Sequence, residues 1–159
     1  MRPIPNQRIS KNALKVWRIL GAIETFIYML LLIGYYFLST YFQGTDWIKW
    51  TLLVIVISIG IIKVVFIPTF RWRRWRYEVY EQEIDLQFGI IVVRRVLIPM
   101  IRIQHVDTRQ GPLLKYFRLA SVTVTTAATV HQIPALPESQ AANLRDRISK
   151  LAAEADEDV

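Results

Sequence analysis

The 159-residue chain contains no cysteine, and this absence excludes a disulfide framework, a thiol nucleophile and any cysteine-based zinc or iron–sulfur site. It contains two histidines, and it has no glycine-rich nucleotide-binding motif, nucleophile elbow or paired-histidine zinc motif. The sequence therefore predicts no catalytic site, no cofactor and no metal, and we expect a protein that is not an enzyme.

His105 and Asp107 are the pair of residues that most suggests chemistry. They stand two apart in an alternating segment, so both side chains are expected on one face of a strand. No nucleophile, second metal ligand or oxyanion donor is identifiable near them. A surface hydrogen bond is therefore favoured over catalysis.

Two long apolar segments account for the high hydrophobic content of 53%. The first runs from Ile19 to Phe42 with one formal charge, and the second runs from Trp47 to Ile67 and is expected to close at Pro68. Each is long enough for the roughly 20 helical residues that cross a bilayer. A buried hairpin in a soluble protein is the alternative, but neither segment shows a polar stripe at the helical period. The first segment is also too long for the apolar region of a cleaved signal peptide. We predict a hairpin of two transmembrane helices.

The orientation of the hairpin follows from the basic residues in its short flanks, because Lys and Arg resist translocation. The connecting segment offers only Lys49. The outer flanks carry the remaining basic residues of this region: Arg2, Arg8, Lys11, Lys15 and Arg18 before the first span, and Arg71, Arg73, Arg74 and Arg76 after the second. The hairpin is therefore expected to cross the plasma membrane with both termini in the cytoplasm.

Glu24 and Lys63 are ionisable residues inside the spans, at matching depths near the cytoplasmic end. An ionisable side chain in a membrane usually faces a partner or a cavity, so we predict that the two pair and clamp the hairpin. In the alternative, Lys63 reaches the interface alone, and Glu24 is protonated or faces another subunit.

The densest basic cluster follows the second span and alternates cations with indoles. It consists of Arg71, Trp72, Arg73, Arg74, Trp75 and Arg76. Near an anionic leaflet each Arg would contribute about 1 kcal/mol, so contact with lipid headgroups is the natural interpretation. The alternative is that these residues only satisfy the topology and the aromatic belt.

From Trp75 onward, apolar and polar residues alternate as in half-buried strands, which sets a domain boundary between residues 1–70 and residues 71–159. The alternating sets begin at Ile84, Ile101 and Ala120, with closely spaced turn signals between them. This pattern predicts a meander of short antiparallel strands. Gly111 to Leu119 is expected to be a loop or one helical turn that tucks Leu114 and Phe117 under the sheet.

A C-terminal helix is predicted after Pro137 and Glu138. Leu144, Ile148 and Leu151 follow at the spacing that lays one apolar stripe along a helix. We expect this helix to close one end of a small barrel.

Several short motifs between Ile98 and Leu136 belong together. They are Ile98-Pro99, Arg102-Ile103-Gln104 with Val106, Gly-Pro-Leu-Leu at 111–114, Phe117, and Val122-x-Val124 leading to Thr126-Ala127. With the two preceding helices, this segment resembles the bacterial pleckstrin-homology-like (PH-like) family of membrane proteins of the YdbS type. The resemblance covers nearly the whole chain and implies an α+β membrane protein, in which the transmembrane hairpin precedes a bent antiparallel sheet or small barrel with a C-terminal helix.

Two positions depart from the family's pattern. Arg118 and Ala128 stand where the family often has Gly, so the two turns are expected to differ in shape. Glu81-Gln82-Glu83 occupies the first loop between strands, where eukaryotic PH domains place basic residues. Acidic side chains would repel an inositol phosphate, so phosphoinositide binding is not expected.

The resemblance also implies assembly into homo-oligomers or with a larger membrane protein that carries related PH-like domains. The leading hypothesis is a non-enzymatic scaffold in the bilayer with a role in envelope stress or antimicrobial resistance. The alternative is an anionic-lipid-sensing module that uses residues 71–76, and a third hypothesis is a small enzyme or transport accessory using Glu24, Lys63 or His105. A nucleic-acid partner is not expected, because the basic cluster is juxtamembrane.

Overall fold

The computed structural model describes residues 4–41 and 45–157. Its residues form two compact units, one of which is Trp17–Phe70. The other combines the residues up to Val16 with those from Arg71 onward. The division after residue 70 coincides with the change from continuous to alternating apolar residues. The N-terminal segment, however, is grouped with the strands and not with the hairpin.

The helical unit contains two long apolar helices. Helix α1 is Asn12–Tyr41, and a second continuous helix is made of α2 (Asp46–Ile61), a π-helical turn (Ile62–Phe66) and α3 (Ile67–Arg74). Only 11% and 6% of the most apolar windows of these two helices are buried within the protein. Apolar helices that the protein leaves uncovered fit a hydrocarbon solvent, and the prediction of two apolar N-terminal helices is confirmed. Phe42, the expected end of the first span, lies outside the described residues.

The expectation that the second helix closes at Pro68 is wrong, since the helix continues to Arg74. A proline ring normally collides with the carbonyl four residues earlier and removes one hydrogen bond. Here the preceding turn is widened, and the Ile67 N–H donates to the Ile62 carbonyl five residues back. The Thr69 hydroxyl donates to the Val65 carbonyl at 2.7 Å. The helix therefore passes the proline without breaking.

The second unit is built from two antiparallel sheets. The first has the strand order β1-β2-β3-β4 and the second the order β5-β6-β7. The strands are β1 (Gln7–Arg8), β2 (Arg76–Val79), β3 (Glu83–Phe88), β4 (Arg94–Pro99), β5 (Ile103–Arg109), β6 (Leu119–Thr126) and β7 (Val130–Pro137). Helix α4 (Pro112–Tyr116) joins β5 to β6, and helix α5 (Glu138–Glu157) follows β7. The predicted antiparallel α+β domain with a C-terminal helix is confirmed.

The core of this unit lies between the sheets and α5. Leu144 and Ile148 of α5 are buried as the helical spacing predicts, and Leu151 is half-buried. Fully buried side chains of both sheets surround them: Tyr77, Ile84, Leu86, Val122, Val124, Ile133 and Leu136. Burial raises the pKa of the Tyr77 phenol above its ordinary value, and Gln140 of α5 donates a hydrogen bond to its oxygen at 3.0 Å.

Asp85 departs from the alternation, which places it among the outward-facing residues of β3. It is fully buried, and Arg95 of the neighbouring strand β4 donates to its carboxylate from Nε and from Nη2, the latter at 2.5 Å. These hydrogen bonds raise the pKa of the Arg95 guanidinium. The alternation of apolar and polar residues suggests that Asp85 faces water. Its carboxylate is instead buried in an ion pair with Arg95, so the sequence pattern misplaces Asp85.

The N-terminal segment docks at a β-bulge. The register between β6 and β7 shifts near Pro134 and Ala135, and Ala135 adopts a left-handed φ of 52° while almost fully buried. Its N–H donates to the Ser121 hydroxyl at 3.3 Å, and its carbonyl accepts from the Ser10 N–H at 3.2 Å. The bulge therefore provides a hydrogen-bonding place for Ser10, two residues after β1. A two-residue strand has no alternation to detect, which is why the sequence did not predict β1.

Arg118 ends the turn after α4 with φ of 51°, which is the conformation that glycine favours. Its N–H donates to the Lys115 carbonyl, so the turn closes despite the side chain. Leu114 and Phe117 are half-buried beside it.

Arg118→Gly is expected to raise the free energy of unfolding by about 1 kcal/mol, because a side chain in the left-handed region is strained. Lys115→Gly, inside α4, is the matched control and should lower it by about 1 kcal/mol. Chemical unfolding of the detergent-solubilised protein, followed by circular dichroism, measures both. Equal destabilisation by the two variants would contradict the argument.

Candidate functional site

Glu24 and Lys63 lie together in the helical unit. Lys63 Nζ is 2.6 Å from Glu24 Oε2 and 3.3 Å from the Tyr28 hydroxyl, and it lies 4.9 Å from the centre of the Tyr28 ring. Tyr28, one turn after Glu24, therefore completes a small polar cluster between the two helices. The residues predicted to pair are in hydrogen-bonding contact, and their role as a clamp in the membrane stays a prediction.

Two glycines let the helices approach closely beside this cluster. A Cβ atom at Gly21 would lie 2.9 Å from the Lys63 carbonyl oxygen, and one at Gly60 would lie 2.6 Å from the Thr25 methyl group. At position 21 the obstacle is backbone, so a side chain there would force the helices apart, whereas at position 60 the Thr25 side chain would have to move. Membrane helices associate mainly through close van der Waals packing, because the hydrophobic effect does not favour their association in lipid. Small residues at the contact allow this close packing. Sequence reasoning missed these contacts, although a glycine inside an apolar span was the available signal.

The two indoles of the juxtamembrane cluster are used within the β unit. Trp75 is 5% exposed and stacks on Phe88 with ring centres 5.8 Å apart, so it is a core residue and not an interface residue. Trp72 Nε1 donates to the Ser10 carbonyl at 3.2 Å. Trp75, Tyr77 and Val79 stand at alternate positions, as in a half-buried strand. This alternation indicates a buried Trp75, whereas the aromatic-belt interpretation places it at the membrane interface.

The arginines of the cluster also separate into different environments. Arg71 and Arg73 are exposed, and Arg76 is half-buried, 3.5 Å from the Pro5 carbonyl. Arg74 Nη1 donates to the carbonyls of Ile90 at 2.6 Å and Ile91 at 3.0 Å. The residues predicted as one lipid-binding run are therefore not presented on one surface.

His105 and Asp107 both lie on β5. The carboxylate of Asp107 lies 3.5 Å from Arg109 Nε, and His105 is exposed. The other histidine, His131, has its Nε2 2.9 Å from the Thr129 hydroxyl. Within residues 4–41 and 45–157, no three His, Asp or Glu side chains converge as metal ligands.

Strand β4 forms one edge of the first sheet, and within the described chain no other strand pairs with its outer side. The Met100 N–H donates to the Gln82 carbonyl. Hydrogen-bonded pairs recur at every second position of an antiparallel ladder, so Ile98 and Ile84, two positions further along, are also a hydrogen-bonded pair. Leu97 and Pro99 then direct their backbone groups away from β3. Pro99, which has no N–H to lose, stands at a position where the ladder does not need one.

A groove of about 670 Å³ lies along this edge. Among the described residues that line it, Arg102 carries the only formal charge, and the others are apolar or polar: Val96, Leu97, Ile98, Pro99, Ile101, Gln104, Thr126, Ala127, Ala128, Thr129 and His131. An edge strand beside an apolar groove is the geometry that accepts an added strand. The sequence did not predict this groove, because its walls come from both sheets.

The two apolar helices and the two-sheet domain closed by a helix define a transmembrane protein with a PH-like domain. The model of the bacterial PH domain family matches residues 18–152, and the chain belongs to this family. The chain is 50% identical to the UPF0699 transmembrane protein YdbS of Bacillus subtilis (strain 168), in an alignment that covers all of both chains. No solved structure gives a significant match. The family expected from the sequence motifs is confirmed.

Neutralising either member of the Glu24–Lys63 pair is expected to lower the stability of the helical unit. Glu24→Gln should cost about 1–2 kcal/mol and Lys63→Gln should also be destabilising, because in each case the remaining charge loses its partner in hydrocarbon. The charge-swapped double variant, Glu24→Lys with Lys63→Glu, should recover most of the loss. Titration of the solubilised protein with dodecyl sulfate, followed by circular dichroism, measures the difference.

The pair Asp46–Lys49, at 2.9 Å, supplies the matched control. Asp46 is largely exposed near the start of α2, so Asp46→Asn should change stability by less than about 0.5 kcal/mol. A double swap no more stable than the single variants would contradict the pairing.

Proposed function

We propose that this chain is a non-enzymatic plasma-membrane protein whose PH-like domain lies in the cytoplasm and binds a partner protein along the β4 edge. The observation that carries the proposal is the unpaired side of β4 together with the apolar groove beside it. The occupant we infer is an extended segment of another membrane protein, with apolar side chains at alternate positions. The family resemblance makes a second copy or a larger protein with related PH-like domains the expected source.

The chemistry of the groove fits such a segment. Main-chain hydrogen bonds to the outward groups of Leu97 would give affinity, and alternate side chains would enter the space beside Ile98 and Ile101. Because Arg102 is the only charge among the lining residues, an acidic residue next to the apolar segment would be favoured. Two proteins confined to one membrane meet at high effective concentration, so a short strand contact is sufficient.

Sensing of anionic lipid by residues 71–76 is the alternative function. The internal contacts of Trp72, Arg74 and Trp75 count against it, because these side chains already bind within the β unit. Replacing exposed Arg71 with Gln would test it, since a sensor that uses residues 71–76 would lose its preference for anionic vesicles and a protein-binding domain would not. If the domain binds a partner protein, the identity of that partner would decide whether the protein acts in envelope stress or in antimicrobial resistance.

Leu97→Pro is expected to reduce partner binding by about tenfold, which corresponds to about 1.4 kcal/mol. The substitution removes the outward N–H without touching the β3 ladder, whereas Leu97→Ala keeps it and serves as the control. A photoreactive amino acid at Ile101, which is 49% exposed, reports binding in native membranes by cross-linking and mass spectrometry. The cross-linked peptide should be an alternating apolar segment of a membrane protein.

A photoreactive group at Tyr116, which is 81% exposed on α4, provides the positional control. The proposal fails if both positions capture the same peptides, or if Leu97→Pro leaves the Ile101 product unchanged.

Reporters fused to either end of the chain are expected to show both termini in the cytoplasm, because the basic residues flank the hairpin on its outer sides. Cytoplasmic fluorescence and the absence of activity from a periplasmically or extracellularly activated enzyme measure this orientation. Basic residues added between Tyr41 and Trp47 should weaken the bias. An exported C-terminal reporter on the unaltered chain would overturn the topology.

A further inference from the structure

The loop between β3 and β4 exposes a run of aliphatic side chains. Gly89 opens it, and the next four residues are Ile90, Ile91, Val92 and Val93, of which Ile91 is 90% exposed and Val92 is 70% exposed. Single exposed apolar residues are ordinary on a protein surface, but a contiguous apolar tip marks a contact with another apolar phase.

The loop is held in one shape by two local features. Gly89 has φ of 140°, and a side chain there would collide with the Val92 carbonyl. Arg74 donates hydrogen bonds to the carbonyls of Ile90 and Ile91. Backbone carbonyls that already have donors cost less to remove from water, so the tip is suited to enter an apolar phase.

The loop lies at the end of the first sheet where the chain arrives from α3. Strand β2 begins there at Arg76, and in the antiparallel register β3 ends at Phe88 opposite Arg94, the first residue of β4. Arg8 of β1 pairs with Arg76 at the same end. Neither residues 68–77 nor residues 86–104 contain an acidic residue. This sheet end is therefore basic around an apolar tip.

Few residues separate the expected end of the second span from the arginine that holds the loop. Arg74, which holds the loop, follows Ile67, the expected end of the second span, by seven residues. At the rise of an α-helix, this interval is about 10 Å. That distance matches the headgroup layer, into which apolar side chains of interfacial segments enter by about 5–10 Å.

We propose that Ile91 and Val92 insert into the bilayer surface and that Arg73 and Arg94 contact lipid phosphates beside them. The loop thereby forms a second membrane attachment of the β unit, in addition to the covalent connection through α3. It is independent of the proposed partner site, since the groove begins at Val96. Charge complementarity between the arginines and anionic headgroups, together with the tether, favours the bilayer over a protein as the occupant.

The experiment uses the full chain, which has no native cysteine and so accepts a single labelled one. Cysteine at position 91 is coupled to an environment-sensitive fluorophore, and the protein is reconstituted into bilayers of phosphatidylglycerol and phosphatidylcholine. Tyr116→Cys is the matched control, since its position is nearly as exposed, at 81%, but lies on α4. We expect a blue-shifted emission for Ile91→Cys and a loss of most of its intensity when the lipids carry a nitroxide below the headgroup.

A label at Val92→Cys provides a second site in case position 91 perturbs the loop, and it should respond in the same way. In pure phosphatidylcholine, both loop labels are expected to show less quenching, because the arginines lose their anionic partners. Emission from positions 91 and 92 that is as water-like and as weakly quenched as that from position 116 would overturn the proposal. A blue shift without quenching by nitroxide lipids would overturn it as well, because it would indicate a protein contact.

Discussion

The solvation of two apolar helices by hydrocarbon is the constraint on which the remainder of the structure depends. Their surfaces are left almost uncovered by the protein itself, and water would make that arrangement unfavourable by about 25 cal/mol for each Å² exposed. Once a bilayer covers them, the helix that ends at Arg74 leads into β2 after a single residue. The covalent connection between the second apolar helix and the first sheet is therefore short.

Irregular backbone in this protein is stabilised by hydrogen bonds from outside the regular pattern. The π-helical turn before Pro68 uses the Thr69 hydroxyl, the bulge at Ala135 uses Ser121 and Ser10, and the loop after β3 uses Arg74. At the bulge and in the loop, these donors and acceptors satisfy backbone groups that the strand ladders leave unpaired. The bulge and the loop are also where separate segments meet, so the same hydrogen bonds decide the local shape and join those segments.

The Asp85–Arg95 and Glu24–Lys63 ion pairs lie in different surroundings and have different consequences. Asp85 is fully buried in the β unit, and Arg95 satisfies its carboxylate with several hydrogen bonds. In the helical unit, the Glu24 side chain is half exposed and would face lipid without Lys63. A buried pair of the first kind chiefly specifies a register, whereas a pair within a membrane also determines which helix faces meet. The two glycines beside Lys63 allow the helix approach on which the second pair depends.

Periodicity along the chain was sufficient to predict the two apolar helices, the antiparallel strands and the stripe of Leu144 and Ile148. These features depend on residues only a few positions apart. A bilayer or a sheet selects the same apolar spacing along the whole element, so the spacing is visible in the sequence. The tertiary structure alone decided the burial of Asp85 and Trp75, the passage of the helix through Pro68, the docking of residues 7–10 and the groove beside β4. The helix passes Pro68 because the preceding turn is widened locally. Each of the other features depends on what a distant segment places against the residue, and such contacts leave no periodic signal in the sequence.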